Sequence, residues 1–216
     1  MPRSPLIHGL YPIIDTAACL HSRVNPLDLA KAIATAGVGT AQFRHKGLFT
    51  RQVLEQAEEI GRVFRAAGSR YLINDRADVA LMLQADGIHL GQQDLPPSKV
   101  RAMVGSSLWI GYSTHTREQL HAAEAEPVDY LAIGPIFATG SKQNPDPVVG
   151  LEMLANLRAL TTKSLVAIGG ITRANAGAVL RAGADAVAVI SDLLAEDLAA
   201  RLQEWLRLTR PSSAKA

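Results

Sequence analysis

The chain has little cysteine. Cys19 is the one cysteine among 216 residues. That excludes an intrachain disulfide framework and fits a reducing compartment. Blocks of charge are missing too. No five like charges follow one another, and 22 basic against 20 acidic residues leave a net +2. Nucleic acid is therefore not expected as a partner. Long apolar runs are also absent. No segment approaches the ~18 apolar residues of a membrane helix. The opening MPRSPLIHGLYPIID holds no apolar stretch of signal-peptide length. The expectation is a cytoplasmic protein with no membrane partner, ending in a short flexible tail after about Thr209. No GxGxxG follows the first β-like run, which weakens a dinucleotide-binding reading.

The composition itself is globular, with 48% hydrophobic and 19% charged residues. Eight β-like runs recur, at 10–15, 39–45, 70–75, 87–91, 108–113, 129–135, 165–170 and 186–191. Most are apolar almost throughout, as strands buried on both faces of a parallel sheet are. Helical stretches lie between them. Asn25-Pro26 opens one that stops before Gly37, with Pro at the favoured first position. Thr50 caps another, whose Val53, Leu54, Ala57, Ile60 and Phe64 form an apolar stripe. Further helices are expected at 76–84, 97–104, 116–125, 149–161, 173–181 and 192–208, the first of these well buried. Eight β–α units in 216 residues average about 27 residues each. An open doubly wound sheet suits five or six units, so the count favours a closed (β/α)₈ TIM barrel. No linker divides the chain, and residues 1–216 are expected to form one domain.

In such a barrel the chemistry sits at the C-terminal strand ends. Those ends are unusually polar here: Gln42 to Lys46, Asn74-Asp75, His89 to Asp94, Ser113 with His115, Gly134 to Lys142, Gly169-Gly170 and Ser191. Three cations (Arg44, Lys46, Lys142) converge with two carboxylates (Asp75, Asp94). Cations alone suit a phosphate; carboxylates beside them suggest magnesium shared with phosphate oxygens, and pyrophosphate is the natural ligand. Gly169-Gly170 and Ile190-Ser191 suggest a second anion site after the last two strands. Each feature also has a plainer reading. Asp75 would cap a helix starting at Arg76, Asp94 would cap a turn before Pro96, His89 would be a satisfied core histidine, and Lys142 plain surface. Their co-occurrence on one rim is what favours a site.

With these residues in place, the chain resembles the thiamine phosphate synthase family over about Gly9 to Leu194. The resemblance rests on QFRHK (42–46), NDRADVALMLQADGIHLGQQD (74–94), GYSTH (111–115), GPIFATGSK (134–142), AIGGI (167–171) and AVIS (188–191). It implies a (β/α)₈ transferase that joins hydroxymethylpyrimidine diphosphate to a thiazole phosphate, releasing pyrophosphate. It further implies that Gln42, Phe43, Arg44, His45, Lys46 and Asn74 hold the pyrimidine diphosphate, with Ser113 and Lys142 on its leaving group. Asp75 and Asp94 would bind one magnesium ion per subunit. Thr139, Gly140, Ser141, Gly170, Ile190 and Ser191 would hold the thiazole phosphate. Arg44, Lys46, Ser113 and Lys142 would carry the catalysis. The family's Thr-x-Thr-Lys loop reads Thr139-Gly140-Ser141-Lys142 here, which keeps the hydroxyl, and the insert 143–146 bears on loop closure.

The implied reaction needs no side-chain nucleophile, because the pyrimidine ring stabilises a carbocation at the methylene. Cys19 is then incidental. Two alternatives remain at this point: a thiazole tautomerase that uses His115 or His89 and no metal, and a non-catalytic barrel that keeps a phosphate site. Homo-oligomerisation is left open, as no patch on the helices can be read from sequence.

Overall fold

A computed structural model describes residues 7–139 and 146–210. Its strands are β1 (Gly9–Asp15), β2 (Thr40–Arg44), β3 (Arg70–Asn74), β4 (Gly87–Leu90), β5 (Trp109–Thr114), β6 (Tyr130–Ile133), β7 (Ser164–Ile168) and β8 (Ala186–Val189). They pair in parallel, in sequence order, and β8 closes onto β1. The barrel is the expected (β/α)₈ fold. The helices are α1 (Thr16–His21), α2 (Pro26–Thr35), α3 (Arg51–Ala66), α4 (Ala77–Met82), α5 (Pro97–Val104), α6 (Arg117–Glu124), α7 (Gly150–Arg158), α8 (Ala176–Arg181) and α9 (Leu198–Thr209). None is long and apolar enough to cross a membrane, among the described residues.

Local chemistry sets the helix starts. Asn25 caps α2 by accepting from Leu27 N at 2.8 Å, with Pro26 in the first turn. Thr50 caps α3, Thr116 caps α6 and Asp197 caps α9. Three features depart from the sequence reading. Asp15 nucleates an unforeseen α1 by accepting from Ala18 N at 2.8 Å. The stretch expected as one helix over 192–208 divides into a 3₁₀ turn (Ser191–Leu193) and α9. Finally, α4 is not buried all round: Leu81 is 40% and Met82 62% exposed, and only Ala77, Val79 and Ala80 face inward.

Two apolar layers hold the barrel. Between strands and helices, Phe43, Ile60, Phe64 and Leu29 are fully buried, each worth roughly 1.5–3 kcal/mol against exposure. Inside the barrel lie Tyr11, Ile13, Leu72, Tyr130, Val166 and Ala188. Gly111 pairs with Tyr130 across β5 and β6, and a Cβ at 111 would fall inside the Tyr130 ring. The missing side chain lets that ring lie across the barrel.

At the N-terminal strand ends one device recurs. Asp86, Asp129 and Asp185 precede β4, β6 and β8, and each accepts a backbone N–H of the preceding odd strand. Their donors are Tyr71 N at 2.9 Å, Ile110 N at 2.7 Å and Leu165 N at 2.8 Å. Arg101 and Arg158 neutralise the last two. These carboxylates stitch strands together at the end away from the mouth.

Candidate active site

The mouth is built from the C-terminal strand ends, where backbone pairing stops and side chains turn inward. On β2, Gln42 points into the barrel and donates from Nε2 to the Tyr11 hydroxyl at 3.0 Å. Arg44 donates to the Asp15 carboxylate, which also caps α1, so its guanidinium is held in place from β1. Lys46, just past the strand, donates to the Asp75 carboxylate. Asp15 had escaped the sequence reading although it ends the first β-like run. Its partnership with Arg44 depends on the β1–β2 register, Asp15 opposite Arg44.

Strand alternation separates the motif 42–46 into two sets. The Phe43 ring lies fully buried between barrel and helices, edge-on to Phe49 at 6.5 Å. His45 turns to the surface, bonded to Thr16 Oγ1 at 2.8 Å and edge-on to Phe49 at 5.3 Å. Neither side chain enters the mouth with Gln42, so a role for residues 43 and 45 there would fall to backbone atoms. Side chains alternate across a strand, so the inward set is Gln42 and Arg44, with Lys46 just past the strand end.

Asn74 is 6% exposed, and its Nδ2 has no hydrogen-bond partner among the described residues. A buried orphan donor costs roughly 1–3 kcal/mol, a cost that a bound acceptor removes. Asp75 has φ +63° and does not cap the helix after it; Arg76 occupies the cap position without a side-chain bond. The Asp75 carboxylate instead meets Lys46 and lies within hydrogen-bonding reach of Asp94. Asp94 accepts from Gly91 N at 2.6 Å, which fixes the turn after β4 rather than one before Pro96. Burial first, and then the neighbouring Asp75 carboxylate, push the Asp94 carboxyl above its ordinary range. Two carboxylates in contact call for a cation between them. No group of three or more His, Cys, Asp and Glu side chains gathers among the described residues. The donor set is thus a carboxylate pair, which suits a magnesium ion that completes its shell with water and phosphate oxygens.

On β4 and β5, His89 is bonded to Tyr130 through Nδ1 and to Ser113 Oγ through Nε2, each at 2.8 Å. It is the satisfied core histidine that the plainer reading favoured. His115 donates from Nδ1 to Gly134 O and faces the Asp146 carboxylate at 3.5 Å. Across the mouth, Gly170 has φ +63°. A Cβ there would meet Ala138 O and Phe137, so bulk at 170 strikes the loop after β6. Thr139 ends the described part of that loop, and Gly140, Ser141 and Lys142 lie outside the described residues. Ile190 packs against the interior cluster, and the exposed Ser191 opens the 3₁₀ turn.

Comparison with known proteins gives the family. A family model described as thiamine monophosphate synthase matches residues 10–193. The chain belongs to the thiamine monophosphate synthase family. A thiamine-phosphate synthase of Koribacter versatilis is 48% identical over 202 residues, covering 92% of this chain and 94% of that protein. One from Laribacter hongkongensis is 41% identical, covering 93% and 95%. A solved thiamine phosphate pyrophosphorylase from Pyrococcus furiosus superposes with a TM-score of 0.82 at 31% identity, covering 93% and 94%. Membership in the thiamine monophosphate synthase family makes the chain a transferase of thiamine biosynthesis.

Proposed function

We propose that this chain condenses hydroxymethylpyrimidine diphosphate with a thiazole phosphate, giving thiamine phosphate and pyrophosphate. Residues 1–216 would act as one barrel domain in the cytoplasm, where phosphorylated substrates are retained. The observation that carries the reading is the Asp75–Asp94 contact under Lys46, beside the orphan Asn74 amide. Such a group awaits a cation and an anionic ligand together.

Asp75 and Asp94 would hold one magnesium ion, which when bound supplies positive charge against the diphosphate. Arg44 and Lys46 would bind diphosphate oxygens, and Lys142 would join them from the loop after β6. Arg44 comes preorganised by Asp15, so little reorganisation accompanies charge build-up on the leaving oxygens. Asn74 Nδ2 would donate to the same substrate, and Ser113 Oγ to the leaving group. Gln42, Phe43 and His45 would complete the pyrimidine diphosphate site, the latter two through backbone. Thr139, Gly140, Ser141, Gly170, Ile190 and Ser191 would seat the thiazole phosphate, so that its nitrogen stands ready when the pyrimidine methylene loses pyrophosphate. Capture then proceeds as an intramolecular step. A tautomerase would need an imidazole nitrogen free to move a proton; His89 has both ring nitrogens bonded to protein groups, while His115 holds Gly134 O through Nδ1 and faces Asp146 with Nε2.

The test is incubation with both substrates, with and without magnesium, following thiamine phosphate and pyrophosphate. Product formation that chelation abolishes supports the reading. Isomerised thiazole without pyrophosphate release would replace it with the tautomerase.

A further inference from the structure

Four hydrogen bonds, through the side chains of Tyr11, Tyr130 and His89, join Gln42 to Ser113 in the barrel interior. Gln42 Nε2 donates to Tyr11 OH at 3.0 Å, and Tyr11 OH meets Tyr130 OH at 2.9 Å. Tyr130 OH meets His89 Nδ1, and His89 Nε2 meets Ser113 Oγ, both at 2.8 Å. An amide nitrogen can only donate, and a phenol carries one proton. Burial pushes the Tyr11 phenol up to about 12 and Tyr130 well above its ordinary range, so both keep that proton at neutral pH. Counting protons from Gln42 then fixes the direction of each bond. Tyr11 accepts from Gln42 and donates to Tyr130, and Tyr130 donates to His89 Nδ1. The imidazole is therefore neutral with its proton on Nε2, which donates to Ser113 Oγ. The serine proton is left to point into the mouth.

We propose that Tyr11, Tyr130 and His89 are positioning residues that hold the Ser113 hydroxyl as a donor toward the departing pyrophosphate. This rests on the proposed function, in which Ser113 contacts that leaving group. The opposite polarity requires Gln42 to present its carbonyl to Tyr11. Ser113 would then spend its proton on His89 and turn lone pairs toward an anion. The chain of bonds also links two residues that, in the proposed function, contact the same substrate. Fixing the Gln42 amide thereby sets the serine's direction.

The test has three readings. Nitrogen NMR of histidine-labelled wild type, with His89 assigned through His89→Asn, should show the Nε2–H tautomer; an Nδ1–H tautomer overturns the proposal. Tyr130→Phe removes one neutral hydrogen bond and should lower kcat about three- to tenfold, with KM for the pyrimidine diphosphate changed by less than about twofold. Tyr71→Phe is the control, because it deletes an equally buried hydroxyl bonded to Ala57 O, outside the chain of bonds. It should lose stability and keep kcat. Equal kcat losses in both variants, or none in Tyr130→Phe, overturn the proposal. In a Ser113→Ala background, Tyr130→Phe should cost no further rate, since both act through one hydroxyl; an additive loss overturns it. If wild type makes no thiamine phosphate, the function reading fails and takes the proposal with it. Active wild type with the wrong tautomer defeats the proposal alone.

Discussion

Gly111 and the Tyr130 ring share one space across β5 and β6. A methyl at 111 displaces the ring, and with it the hydroxyl that joins Tyr11 to His89. Gly111→Ala should cost about 1–3 kcal/mol through overpacking. Thermal or urea unfolding measures this; an unchanged midpoint would mean the ring has room to move.

Asp94 yields a pH prediction with a definite sign. Its carboxyl is raised in the folded chain by burial and by Asp75, so the native state binds more protons than the unfolded state between the two values. Stability from this group is therefore greatest below the unfolded value near 4 and falls as pH rises through the raised native value. Asp94→Asn keeps an oxygen for Gly91 N and removes the charge. It should raise the melting temperature at neutral pH while lowering turnover more than about tenfold. Magnesium should raise the melting temperature of wild type and not of Asp75→Asn or Asp94→Asn. Equal shifts in all three would place the ion elsewhere.

On the proposed role of Lys142, Lys142→Ala removes a full charge that acts on the leaving group. A charge-assisted contact of roughly 1.5–3 kcal/mol corresponds to about 10- to 150-fold in rate. Steady-state turnover equal to wild type would make Lys142 a surface residue.

Gly170→Val forces a side chain onto Ala138 O and Phe137 at a left-handed backbone position. The loop leading to Thr139 must move. Affinity for the thiazole phosphate should fall strongly while that for the pyrimidine diphosphate stays nearly unchanged. Separate titrations decide; equal losses would refute the two-site assignment.

Asp185 provides the structural contrast. Asp185→Ala strips partners from Leu165 N and from Arg158 at the far end of the barrel. It should lower stability by about 1–3 kcal/mol and leave kcat unchanged. A turnover loss at full stability would break the division between stitching and mouth carboxylates.

The strands and most helices were legible because parallel strands buried on both faces are apolar along their whole length. The candidate site stood out in the sequence because strand ends are where such runs turn polar. What escaped depends on register. Asp15 meets Arg44 because β1 pairs with β2 residue for residue, and Tyr11 meets Tyr130 across the barrel from 119 positions away in the chain. No local pattern encodes either contact. The family resemblance takes 42–46 as a block, while strand alternation turns Phe43 toward the helices and His45 toward the surface. Met82 and Leu81 look like core in sequence, and only the short span of α4 leaves them outside.

The left-handed backbone at Asp75 narrows what can ever stand there. Aspartate and asparagine tolerate φ near +63°, and glycine prefers it. A glutamate, one carbon longer, is less at home in this conformation. The reach of this carboxylate is therefore set by the main chain, whose N–H at 75 is tied to His89 O at 2.8 Å. Redesign for a larger cation or a longer phosphate chain has little freedom at 75. Drift in specificity, natural or engineered, would have to run through the turn that carries Asp94.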